Sequence, residues 1–124
     1  MHYRDELRAA KRIQLSYFLK VHQRGRRKLL GQVLDITEQG LNILSGDPIE
    51  SGRMLSVLVE LPETIYGKTR LALKVECRWC KPDINPSYYS IGFRFAQLTA
   101  RELDLIRALI ENYEFGRELQ EAFL

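Results

Sequence analysis

Between residues 70 and 80 the chain alternates. Leu71, Leu73, Val75, Cys77 and Trp79 sit two apart, with Ala72, Lys74, Glu76 and Arg78 between them. Successive side chains of a strand point to opposite faces, whereas a helix brings together residues three and four apart. A period-two run of this length describes a strand with one apolar and one solvated face, the arrangement of antiparallel sheets. Such a face must be covered by a second layer or by closure of the sheet on itself, so the remaining sequence has to supply further strands or a lid.

It supplies both. Residues 54–61 (MLSVLVEL) form a strong strand pattern that the sequence ends at Pro62, and residues 29–36 form another. Residues 41–44 are a shorter candidate and 88–96 a last strand, with Gly92 marking a bend or bulge. Residues 13–21 read as a first strand through their β-branched and aromatic content. Gln23-Arg24-Gly25-Arg26 and Ser45-Gly46-Asp47-Pro48 are turn signals. Thr99-Ala100-Arg101-Glu102 matches a capping box, in which the hydroxyl takes the third helical amide and the carboxylate reaches back to the cap. Leu103, Ile106, Leu109, Ile110 and Tyr113 follow on one helical face, Gly116 interrupts it, and residues 117–124 form a short helical tail. Six short strands and a closing helix describe a mainly β domain, a small antiparallel barrel with a helix against it. At 124 residues this is one domain. Periodicity alone does not choose among small-barrel folds.

Charge is uneven along this frame. Residues 1–31 hold nine Lys and Arg against two acids, and the rest holds ten basic against fourteen acidic side chains. A basic N-terminal quarter on an acidic remainder points to a local anionic partner rather than to a surface for any polyanion. The alternative reading of Arg24 to Lys28 is a solvated hairpin tip. No window reaches the length of a transmembrane helix, and the charged N-terminus lacks the apolar run of a signal peptide. The expected location is the cytoplasm, with no direct insertion into a membrane.

Catalytic and metal arrangements find little support. Cys77 and Cys80 form a CxxC within a strand, without the second ligand pair that structural zinc needs, and His2 and His22 are isolated. No HExxH or phosphate-loop pattern occurs, and no nucleophile has a base placed beside it. The expectation is a binding protein, not an enzyme, with no catalytic residue, metal or resident cofactor.

Two constellations remain. Arg8-Ala9-Ala10-Lys11-Arg12 spaces two arginines four apart, which places both on one side of a helix or lets an extended arm wrap a ligand. The planar fork of arginine suits phosphate oxygens and the O6/N7 edge of guanine. Asp35, Thr37 and Gly40 stand at i, i+2 and i+5 in LDITEQGLNI. The carboxylate suits amino and imino donors, the hydroxyl is a compact hydrogen-bonding group, and glycine permits a tight turn or close approach. Each pattern alone also has a structural reading: aspartate and threonine readily bond their own backbone in turns.

Their order along the chain resembles the PilZ family of cyclic di-GMP-binding domains. RxxxR at the N-terminal edge precedes one hairpin, a [D/N]xSxxG-like motif between the second and third strands, further strands and a helix. GQVLDI (residues 31–36) and YSIGFRF (residues 89–95) carry the likeness further, over roughly residues 4–113. The resemblance implies a six-stranded antiparallel β-barrel of split-barrel type with a C-terminal α-helix packed on it. It divides the chain into a flexible basic arm (1–12), the barrel (13–98) and the helix and tail (99–124). It further implies that Arg8 and Arg12 fold over cyclic di-GMP while Asp35 and Thr37 bond guanine and Gly40 keeps the loop compact.

Two departures from the family pattern bear on this. Thr37 replaces serine, adding a methyl group that stiffens χ1 and crowds the turn. Leu7 stands where some relatives carry another arginine, which leaves ligand stoichiometry open. The leading expectation is a stand-alone receptor whose arm orders over cyclic di-GMP and which signals to an unidentified output protein in trans, in motility or biofilm regulation. The alternative is a degenerate adaptor that binds a protein partner and no nucleotide, through the helix face and a tail ending Phe123-Leu124. A single-stranded nucleic-acid barrel using Tyr17, Phe18, Tyr88 and Tyr89 is disfavoured by the acidic remainder of the chain, so neither DNA nor RNA is an expected partner.

Overall fold

The computed structural model describes residues 19–26 and 28–112. Six strands appear in chain order: β1 (Lys20–Gln23), β2 (Leu29–Ile36), β3 (Gly40–Ser45), β4 (Met54–Ile65), β5 (Lys68–Pro82) and β6 (Tyr89–Gln97). One helix, α1 (Ala100–Asn112), follows among the described residues. The sheet closes in the order β1-β2-β3-β6-β5-β4, all neighbours antiparallel, with β1 joining β4 through Val21↔Val59, His22↔Leu58 and Gln23↔Val57. Closure removes the unpaired edges that an open sheet would present.

The period-two run of β5 does what its pattern requires. Leu71, Leu73, Val75 and Cys77 are buried in the barrel, facing Val57 and Val59 of β4 and Ile91 and Phe93 of β6 in one cluster. Leu105, Ile106 and Leu109 of α1 join the same cluster. Each fully buried side chain of this size contributes about 1.5–3 kcal/mol of transfer free energy, so the helix is part of the core. The capping box forms: Glu102 N–H donates to Thr99 Oγ1 at 3.1 Å, and Thr99 N–H donates to Glu102 Oε1 at 3.0 Å.

Two expectations need correction. Pro62 does not end β4, which runs on to Ile65; the β4–β5 ladder is irregular between Glu60 and Ile65, and an irregular stretch tolerates a residue with no N–H to donate. The buried helix face is centred on Leu105, Ile106 and Leu109, with Leu103 and Ile110 at its margins. Which side of the helix meets the barrel is set by tertiary packing, which periodicity does not specify. Most of the expected strand over 13–21, with the arm over 1–12 and the tail over 117–124, lies outside the described residues, of which Lys20–Gln23 form β1.

Gly92 does mark a bulge, but the extra residue lies on its neighbour. Cys77 pairs with Phe93 and Trp79 with Gly92, leaving Arg78 over. A Cβ on Gly92 would stand 2.2 Å from Cε2 of Trp79, so the indole occupies the space that the glycine leaves.

Candidate functional site

Asp35 owes its position to a bulge. In the β2–β3 ladder Val33 pairs with Ile43 and Asp35 with Asn42, so Leu34 is an extra residue. In a regular strand Val33 and Asp35 would share a face. Here Val33 and Ile36 both enter the core, and Asp35 stands half-buried beside Asn42 on the outer surface. The bulge keeps a carboxylate out of an apolar interior and aims it at the rim, a recurrent use of bulges.

The next residues form a tight connection to β3. Thr37 N–H donates to the Gly40 carbonyl at 2.9 Å. The Gln39 and Gly40 N–H groups donate to Thr37 Oγ1 at 3.2 and 3.3 Å. The hydroxyl proton has a longer contact of 3.4 Å to the Gly40 carbonyl. Thr37 is exposed and this turn closes around its hydroxyl. The hydroxyl's acceptor sites are taken by backbone amides, while its proton is held weakly and is the part available to an incoming acceptor.

The turn is tied down on both sides. Phe95 N–H donates to the Gln39 carbonyl at 2.9 Å, fixing it to β6. Glu38, inside the motif, pairs with Arg107 of α1. Gly40 is required by close approach: its Cβ would meet the Phe93 carbonyl oxygen at 2.0 Å. That differs from the sequence expectation, which gave the glycine to loop compactness or ligand approach.

Asp35, Thr37 and Gly40 line one shallow cavity of about 190 Å³, with Gln39, Leu41, Asn42, Phe93 and Arg94 completing its wall. The fold therefore brings together three of the five predicted site residues; Arg8 and Arg12 lie outside the described residues. Sequence reasoning missed Asn42 and Arg94. Asn42 is the cross-strand partner of Asp35, and Arg94 that of Gly40. Their signal is their outward place on β3 and β6, legible only once the register is known. Beyond Asn42, the row continues through Gly92 to Trp79, whose ring carries Lys81 Nζ at 5.3 Å from its centroid.

The CxxC lies elsewhere in chemical character. Cys77 is buried, and desolvation, helped by the neighbouring Cys80, pushes its thiol above the ordinary value of 9.0 despite a backbone contact at Trp79 that acts the other way. Both cysteines are free thiols, and no group of three or more metal-ligating side chains occurs among the described residues.

With this geometry in place, comparison with known families gives a match to the PilZ domain over residues 6–112. The chain belongs to the PilZ domain family. PilZ domains are binding and adaptor domains rather than enzymes. Among solved structures, this PilZ domain is similar to one described as Bacillus subtilis inhibitor of motility (MotI/DgrA), with a TM-score of 0.59 at 16% identity. The likeness covers 74% of this chain and 44% of that one, so the PilZ chain here spans less than half the length of that structure. At that identity it speaks for the shared fold. No curated protein matches the chain. No helix among the described residues is long and apolar enough to cross a membrane.

Proposed function

We propose that this PilZ domain is a cyclic di-GMP receptor, with Asp35, Thr37 and Gly40 forming the fixed wall of its site and Arg8 and Arg12 closing over the ligand. The observation that carries the reading is the convergence of a bulge-directed carboxylate, a threonine hydroxyl and an arginine on one cavity of a PilZ barrel. Asp35 accepts from the imino and amino groups of guanine, and the weakly held Thr37 proton goes to an acceptor on the same base. Gly40 acts through the barrel, holding β3 against β6 so that the turn stands where it does. The two arginines supply charge and planar donors for the phosphates. Ordering an arm costs conformational entropy, which several charge-assisted hydrogen bonds offset. No cofactor other than this ligand is required.

The closed arm then changes the surface seen by an output protein, in the cytoplasm and in trans. Motility, for which the fold neighbour is named, is the first output to assay. Calorimetric titration tests the receptor reading: the intact chain binds cyclic di-GMP with micromolar or better affinity, and Arg8→Ala or Arg12→Ala weakens it at least about tenfold. Absence of binding by the intact chain sinks it. The engagement of the Thr37 hydroxyl by its own loop favours a second reading, an adaptor that binds a protein partner without nucleotide. Partner capture indifferent to cyclic di-GMP and to both arginine substitutions would establish that instead.

A further inference from the structure

We infer that Arg94 is a phosphate-binding residue of this site and that Glu76 is the counter-charge it leaves when ligand arrives. The inference rests on the receptor reading and concerns residues outside both motifs. Arg94 stands on the outer face of β6 between Gly40 of β3 and Glu76 of β5. It lines the same cavity as Asp35 and Thr37. Its Nη2 donates to Glu76 Oε1 at 2.9 Å, and that same oxygen lies 3.6 Å from Arg78 Nη1. One carboxylate oxygen thus serves two guanidinium groups. The Arg94 side chain is 59% exposed against 23% for Glu76.

Electrostatics orients the ligand across this cavity. A phosphate is repelled by the carboxylate of Asp35, whereas a guanine edge donates to it. The base therefore takes the β2 side and the phosphate the β6 side, where Arg94 is the lining cation among the described residues. Gly40, opposite Arg94 on β3, places no side chain between the guanidinium and the Thr37 turn. Release from Glu76 does not strand the carboxylate, because Arg78 is already beside it. An exposed pair of this kind is weak enough to be exchanged for a phosphate, and the fork that Arg94 presents matches phosphate oxygens better than a lysine would.

The test is calorimetry of cyclic di-GMP with the full chain and four variants, alongside thermal melts and the ³¹P spectrum of the bound ligand. Arg94→Ala is expected to weaken binding about tenfold or more with an unchanged melting temperature. Arg94→Lys recovers part of the loss and moves the bound phosphorus resonance. Glu76→Gln tightens binding about two- to fivefold, the worth of a surface pair. Arg94→Ala affinity within twofold of the parent, while Arg8→Ala still weakens binding about tenfold or more, overturns the inference and leaves the receptor reading standing. An unmoved phosphorus resonance overturns the phosphate assignment, and a Glu76→Gln protein no tighter than the parent overturns the counter-charge. No binding by the parent overturns both readings together.

Discussion

A methyl group added at Gly40 would stand 2.0 Å from the Phe93 carbonyl oxygen, a backbone atom held within the β3–β6 ladder. The strands must separate to admit it, so Gly40→Ala is expected to cost about 2–3 kcal/mol, read as a lower urea midpoint at unchanged slope. Asp35→Asn is the complementary case. The side chain is half-buried on the outer surface, and on the receptor reading its loss of charge lowers cyclic di-GMP affinity, which calorimetry reads and a urea melt separates from any change in stability. The motif's glycine therefore tests the fold, and its aspartate tests the ligand. Thr37→Ala removes the acceptor for two turn amides and is expected to cost about 1 kcal/mol, whereas Thr37→Ser keeps the hydroxyl and leaves cyclic di-GMP affinity within about threefold.

Helix α1 is held by burial, by its cap and by one charge pair, which contribute unequally. Leu109 is completely buried with Ile106 and Leu105 against the barrel. Leu109→Ala is expected to destabilise by about 2–5 kcal/mol. Thr99→Ala removes a cap whose hydroxyl takes the Glu102 amide, a loss of about 1 kcal/mol. Arg107→Ala breaks the exposed pair with Glu38 and costs less than about 1 kcal/mol. Chemical denaturation of the three variants should rank them in that order. The same ranking separates the two jobs of the helix: its apolar face closes the core, and its Arg107 steadies the turn that carries Thr37.

Across the whole molecule, the barrel interior sets the chemistry of the CxxC. Burial raises the Cys77 thiol, so the folded state holds its proton more tightly than the unfolded chain does. Below the ordinary value of 9.0 both states are protonated and this contribution is fully present. As pH rises from there through the folded value, the unfolded chain releases its proton first and stability declines. Urea midpoints of the parent should fall in that alkaline window, and those of Cys77→Ala should fall less. In the native protein at neutral pH, a thiol reagent should modify half-buried Cys80 first and Cys77 only on unfolding, which timed mass spectrometry can follow.

The six strands, the antiparallel class, the capping box and the family were determined by the sequence itself, because each depends on local spacing: period two in residues 70–80, a threonine three before a glutamate, an RxxxR ahead of a DxTxxG. The element ends were less legible. Pro62 forbids a backbone donor but not an irregular stretch of strand, and Leu105 enters the core through a helix rotation that only the barrel fixes. The proposed wall of the site, Asp35, Thr37 and Gly40, which do line one cavity, was named because a motif carries them together. Asn42 and Arg94 were not, since they reach the cavity through cross-strand register, and residues 42 and 94 become neighbours of the motif only when β3 lies between β2 and β6. The bulge at Leu34 belongs with them. Residues 29–36 read as a plain strand, and only the pairing of β2 with β3 shows that Val33 and Ile36 both enter the core while Asp35 faces outward, because the extra residue shifts the register between them.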